Sequence, residues 1–370
     1  MPSELEFWEK DHPVLRVLRE RRDSGSTPGH RDPLDTARVG LAVEGGGMRG
    51  VVSAAMLVCL EDQGLLNGFD AVYGVSSGAI NAAYFLTGNI WYPGSIYYDD
   101  LTTRKFISYW RVLAGRSMLN LDFAYKTVVG KIKPLDYDKV LASPAKLTIG
   151  ITLVDELSAL AATDFSSAAD LNQALMASAW LPLAVRGTGT YRGQRALDGG
   201  VLIPLPYRLA VEDGCTHILS LGTKPMSSPR RTRPRSAAAQ PAVRRSPSRR
   251  TPTELANGYT AWHLDRIREG LGEAYLESRR LKGEDRKSFV EWRLASGGEP
   301  PFILDIAPLP GTPQVGRTEM SPNRLLAAAR NAYATMYAAI EGKSARSLLS
   351  GQIQVVPRLT LVDRAQEAAI

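Results

Sequence analysis

Short apolar runs that end in glycine recur along the first half of the chain, and each is followed by a stretch of helical periodicity. Val39-Gly-Leu-Ala-Val43 runs into Gly45-Gly-Gly-Met-Arg-Gly50, and residues 51–63 then place Val51, Ala55 and Val58 at i, i+4 and i+7, with Gly64 at the cap position. Ala71-Val-Tyr73 runs into Gly74-Val-Ser-Ser-Gly78, after which the small residues Ala79, Ala82 and Ala83 open another helix. Runs this brief, bounded by glycine, predict buried strands. Two strand–turn–helix units in succession predict parallel strands with helical crossovers, hence an α/β sheet.

Further along, residues 146–154 read as a strand with 157–163 as its hairpin partner, and 166–178 as a helix burying Leu171, Leu175 and Met176. Residues 216–222 predict another buried strand, and 301–307 one more that completes the sheet. The segments 254–281 and 319–342 have helical periodicity. Residues 1–38 are polar, and their periphery is expected to carry one short helix over 13–22, packed on the domain or touching a membrane. Residues 90–138, rich in Tyr, Trp, Lys and Arg, are inserted where a lid over substrate would sit. The expected organisation is a polar segment 1–38, a catalytic core 39–223, an insert 224–252 and a mostly helical part 253–370.

Composition narrows this picture. With 370 residues, 44% hydrophobic and 22% charged, the chain has material for one large globular domain with additions. Cys59 and Cys215 are too few for a disulfide scaffold and fit a reducing compartment. No apolar run approaches the roughly 18 residues that cross a bilayer, and the N-terminus lacks the order of a signal peptide, so a cytoplasmic protein, peripheral at most, is expected. The net charge of +7 has one source. Residues 227–250 hold eight arginines and no acid, and without them basic and acidic residues almost balance. Such a segment cannot build a core. It would attract anionic headgroups, or simply be solvated. Nucleic acid is not expected, because no aromatic interleaving or recognition fold accompanies the arginines.

The chemistry gathers at the two glycine-rich turns. Gly74-Val75-Ser76-Ser77-Gly78 has the spacing of a nucleophile elbow, which lifts a serine hydroxyl above the sheet at a helix N-terminus. Gly45, Gly46, Gly47, Met48, Arg49 and Gly50 admit two readings. Gly45-x-Gly47-x-x-Gly50 satisfies a dinucleotide fingerprint, with Asp70 about 20 residues on. Yet Asp70 precedes a strand, where the fingerprint's acid should end one. The alternative is an oxyanion hole of converging backbone N–H groups, which a serine elbow on the next strand favours. Arg49 would then be a phosphate contact or a structural ion pair.

A serine nucleophile needs a base. Asp198-Gly199-Gly200 sets a carboxylate on a sharp turn after a short strand, although Asp-Gly is also a common hairpin turn. Of four histidines, His12 and His30 lie in the polar N-terminal segment and His263 in a helical pattern. The order Ser76, Asp198, His217 matches that of α/β-hydrolases, but His217 opens an apolar strand instead of following the last one. A Ser76–Asp198 dyad is the reading preferred, with the Ser76/Asp198/His217 triad and a nucleotide site as alternatives.

Taken in order, Gly45-Gly-Gly-Met-Arg-Gly50, Gly74-Val-Ser-Ser-Gly78 and Asp198-Gly-Gly200 resemble the patatin-like phospholipase family, and Ala177-Ser-Ala-Trp-Leu-Pro182 resembles its A-S-x-x-x-P segment. The run 198–206 is most similar to bacterial members, where Asn or Asp often replaces Ile203. The resemblance spans roughly residues 39–223 and implies a three-layer α/β sandwich with a mostly parallel sheet. It implies that Ser76 attacks an ester carbonyl while Asp198 takes its proton, and that backbone N–H groups around Gly46, Gly47 and Met48 hold the oxyanion. An acyl-enzyme then yields to water, with no metal or organic cofactor, on a phospholipid or related acyl ester.

Overall fold

The computed structural model describes residues 6–227 and 251–361. Eight strands form one sheet: β1 Val39–Val43, β2 Ala71–Val75, β3 Lys146–Leu153, β4 Ser158–Ala162, β5 Gly189–Tyr191, β6 Gln194–Asp198, β7 His217–Leu221 and β8 Phe302–Ile306. Five of them, in the order β3-β2-β1-β7-β8, are parallel. β4 pairs antiparallel with β3, and so does β6, which carries β5 as a hairpin.

Alternation along the strands separates two cores, as a period of two requires. Val39, Leu41 and Val43 pack with the helices Gly50–Asp62, Ser77–Leu86 and Pro322–Ile340 on one face. Ala42, Tyr73 and Val75 pack with Tyr207–Glu212 and Phe289 of Leu271–Trp292 on the other. This is the three-layer arrangement expected. The helix Gly50–Asp62 is apolar all round and buried along eleven of its residues, because it lies between the sheet and Pro322–Ile340.

Three expectations change. The N-terminal segment is not peripheral: Phe7, Trp8, Val14, Leu15 and Leu18 are in the main core, and Trp8 donates through Nε1 to the Lys343 carbonyl at 3.2 Å. The apolar side of the helix Pro13–Ser24 is therefore covered by protein, not by lipid. The helical pattern over 254–281 is two helices, Pro252–Ile267 and Leu271–Trp292, broken at Gly270, whose φ of +85° is left-handed. The Asp198-Gly-Gly turn is not a hairpin. The hairpin between β5 and β6 turns at Arg192-Gly193, and Asp198 leads into the short turn Gly199–Val201. The arginine-rich residues 228–250 lie outside the described residues.

Candidate active site

β2 and β6 run toward each other along one edge of β3. β2 pairs with it up to Val75 opposite Gly150, and β6 pairs with it from Asp198 opposite Ile151. β4 occupies the other edge. The carboxyl ends of β2 and β6 therefore meet at adjacent positions of β3, and Ser76 and Asp198 stand at that junction.

Ser76 has φ 58° and ψ −134°, a conformation L-residues rarely adopt and the mark of a strained elbow. The neighbouring glycines are there for clearance. A Cβ on Gly78 would lie 2.2 Å from the Val43 carbonyl oxygen, and one on Gly45 would lie 2.3 Å from that of Val75. The elbow and the glycine-rich loop thus pass backbone against backbone. Ser178, from the helix Ala168–Ser178, locks the turn: its Oγ accepts the Ser76 N–H at 2.8 Å and donates to the Gly150 carbonyl at 2.7 Å.

The Ser76 hydroxyl donates to Asp198 Oδ2 at 2.6 Å, and the Gly200 N–H donates to Asp198 Oδ1 at 2.7 Å. Asp198 is only 3% exposed. Burial pushes its carboxyl above the ordinary aspartate value, against the pull of the Ser76 and Gly200 hydrogen bonds and of the Arg317 and Arg279 charges. A carboxylate that is raised, buried and hydrogen-bonded to a serine is suited to accept that serine's proton.

The oxyanion loop differs in detail from expectation. The Gly46 N–H is given to Ser77 Oγ at 2.9 Å, and the Met48 N–H to the Arg317 carbonyl at 3.0 Å. Gly47, with φ +61°, has no acceptor for its N–H among the described residues and lines the space beside Ser76. Gly50 begins the helix behind the loop. Arg49 makes no ion pair among the described residues, and its Nε is buried without a partner. Burial and the nearby Arg317 charge push its guanidinium down to about 10.

Two other sequence readings fall. His217 lies opposite Val39 at the amino ends of the strands, about 20 Å from Ser76 along the strand direction at ~3.3 Å per residue. It packs on Phe302 and meets the Thr216 hydroxyl. No triad forms. Asp70 is taken by Arg21 and by the Val39 N–H, each at 2.8 Å, and by Arg31 at 2.9 Å. It is held at the end of the sheet away from the glycine loop, which leaves the dinucleotide reading without its acid.

Glu44, which sequence reasoning passed over, anchors the loop from below. Its carboxylate accepts Lys282 Nζ at 2.6 Å, the Thr223 N–H at 2.7 Å and Arg286 at 3.3 Å. Burial alone would raise this acid, but the Lys282 and Arg286 charges hold it well below the usual carboxylate range. Position alone, directly before three glycines, was the only signal available.

Two chambers meet at Ser76. One is almost wholly apolar, with Met48, Ile80, Leu121, Tyr125 and Val129 among its walls. The other mixes polar and apolar walls and carries four cations, Arg49, Arg279, Lys282 and Arg317, against the carboxylates of Glu44 and Asp198. The Arg279 guanidinium also donates to the Gly200 carbonyl, bracing the aspartate turn.

Residues 41–211 match the model of the patatin-like phospholipase family. Over 201 residues the chain is 25% identical to the uncharacterized protein YjjU of Escherichia coli (strain K12), an alignment covering 52% of this chain and 54% of that protein. The chain thus spans about half the length of that curated relative. Among solved structures, VipD from Legionella pneumophila is similar at a TM-score of 0.38 and 12% identity, over 82% of this chain and 66% of that one. The glycine loop, the serine elbow and the aspartate turn all lie within residues 41–211, and over that stretch the chain is patatin-like.

Proposed function

We propose that this protein is a lipid acyl hydrolase of the phospholipase A type, in which Ser76 attacks the ester carbonyl and Asp198 accepts its proton directly. The single observation carrying this reading is the 2.6 Å hydrogen bond from Ser76 Oγ to Asp198 at the meeting point of an apolar and a cationic chamber. The apolar chamber suits an acyl chain, because it offers almost no polar surface to compete for water. The cationic chamber suits an anionic headgroup, because guanidinium groups pair with phosphate bidentately.

In the proposed sequence, the Ser76 oxygen bonds to the acyl carbon as its proton passes to Asp198, and the free Gly47 N–H supports the oxyanion. One such donor is worth about 3–4 kcal/mol. The proton then goes to the departing alkoxide, leaving an acyl-enzyme. Water adds to it in the reverse proton sense and releases the fatty acid. The test is labelling by a fluorophosphonate together with turnover of a short-chain p-nitrophenyl ester. Both are expected in the wild type and neither in Ser76→Ala. A protein that is folded, unlabelled and inert toward esters would refute the reading.

Acid should switch the reaction off, since Asp198 works only when ionised. Its value is raised by burial, so kcat/KM is expected to fall on the acid side through a point above the ordinary aspartate value of about 3.9. A pH–rate profile on the soluble ester checks this, and an acid limb at or below that value would contradict it.

A further inference from the structure

The helix Tyr109–Leu113 buries none of its five residues. Tyr109, Trp110, Val112 and Leu113 are 58, 72, 50 and 78% exposed. Four large apolar side chains on so short a helix bury little of their surface against the protein that carries them, and apolar surface gathered in this way marks an interaction site. Arg104, Lys105 and Arg116 are exposed beside them, and residues 101–121 contain no acid.

The loop is firmly held at its base. Ile107 bridges to Leu119, the Ser108 N–H donates to the Met118 carbonyl at 3.0 Å, and the Arg111 guanidinium ties the Phe106 and Met118 carbonyls. That base is also a wall of the apolar chamber, through Phe106, Leu119 and Leu121. The tip is thus continuous with the chamber. The Tyr109 hydroxyl donates to Thr318 Oγ1 at 3.0 Å, next to Arg317 of the cationic chamber. A second exposed stripe, Leu255, Tyr259 and Trp262 at i, i+4 and i+7, lies on the helix Pro252–Ile267, whose Thr260 lines the same chamber. In sequence that helix follows directly on the eight arginines of residues 227–250.

We propose that the loop 104–116 seats this protein on an anionic lipid surface, its apolar tip entering the headgroup boundary so that an acyl chain passes from the bilayer into the chamber behind it. This rests on the lipid-hydrolase reading for its consequence, not for the binding itself. Apolar side chains flanked by basic ones, with no acid within residues 101–121, match an anionic interface. A second copy of this chain would bring the same positive charges to the contact, and like charges would oppose the pairing. Among the described residues no helix is long and apolar enough to cross a membrane.

The experiment is co-sedimentation of the full chain with vesicles of phosphatidylcholine alone, or mixed with phosphatidylglycerol. The wild type is compared with a Trp110→Ser/Leu113→Ser double variant and with a deletion of residues 228–250. Both substituted side chains are exposed, so folding is not at stake. The wild type is expected to pellet with the anionic vesicles, less so in high salt. The double variant should partition roughly a hundredfold less or lower still, the loss of two apolar side chains that the lipid would bury. Equal pelleting of wild type and double variant overturns the proposal, and if only the deletion abolishes binding, the attraction belongs to the arginines alone. No vesicle binding, with a wild-type oligomer that the double variant dissociates, assigns the surface to a second copy instead. Vesicle binding in a protein that turns over no ester would leave this proposal standing and remove the hydrolase reading.

Discussion

Asp198→Asn is expected to lower ester turnover by about 10²–10⁴-fold, the usual range for a lost general base. Asparagine is nearly isosteric, so the Gly200 N–H and the Ser76 hydroxyl keep an acceptor and the turn keeps its shape. What is lost is the capacity to take the proton. Ser76→Ala should be worse, about 10⁴–10⁶-fold, because no nucleophile remains. His217→Ala should stay close to wild type, since His217 lies at the far end of the sheet against Phe302. The three variants can be compared by kcat on a p-nitrophenyl ester, with circular dichroism to show that each is folded. If the histidine variant were the dead one, the dyad would be the wrong assignment.

The largest loss of stability is expected from Glu44→Gln. Glu44 is buried and offsets Lys282 and Arg286, and Arg286 Nε already lacks a partner. Removing one member of a buried ion pair typically costs about 3–5 kcal/mol, because the remaining charge stays in a medium that solvates it poorly. Unfolding of both proteins in urea measures the difference. The pH dependence has a definite sign. The folded carboxylate is held below its unfolded value, so its contribution is full above the ordinary glutamate value of about 4.3 and is lost as the pH falls further. The gap between wild type and Glu44→Gln should therefore narrow in acid. Adding Lys282→Met to the variant should recover part of the loss by removing a charge that no longer has its partner. A gap that held constant into acid would place the effect of the substitution elsewhere.

Ser76, Asp198 and the glycine loop could be singled out in the sequence because the chemistry proposed for them depends on local backbone shape, and local shape is written in consecutive residues. Gly45 and Gly78 are glycine because another strand's carbonyl occupies the space of a side chain, a constraint that leaves its mark wherever it applies. The strands were legible for a similar reason, as short apolar runs ending at turns. The partners of Glu44 were not, because Lys282 and Arg286 come from a helix more than 230 residues away. Arg279 and Arg317 were hidden in the same manner. The commitment of the Met48 amide to the Arg317 carbonyl is also a long-range contact that no spacing announces. Phe7 and Trp8 misled in another way, since a segment rich in charge gave no sign that its few apolar residues were bound for the core.

The meeting of β2 and β6 on one edge of β3 has a consequence for how activity is acquired. Ser76 and Asp198 are 122 positions apart along the chain, and neither strand reaches the other except through β3. Their separation is thus a property of strand register. A slip of one residue in β6 would displace the carboxylate by about 3.3 Å and turn it to the opposite face. Contacts between such distant segments form late in a folding chain, after the loss of loop entropy has been offset by local structure. The nascent protein therefore has its serine elbow before it has a carboxylate beside it, and the proposed dyad is complete only once the sheet is closed around β3.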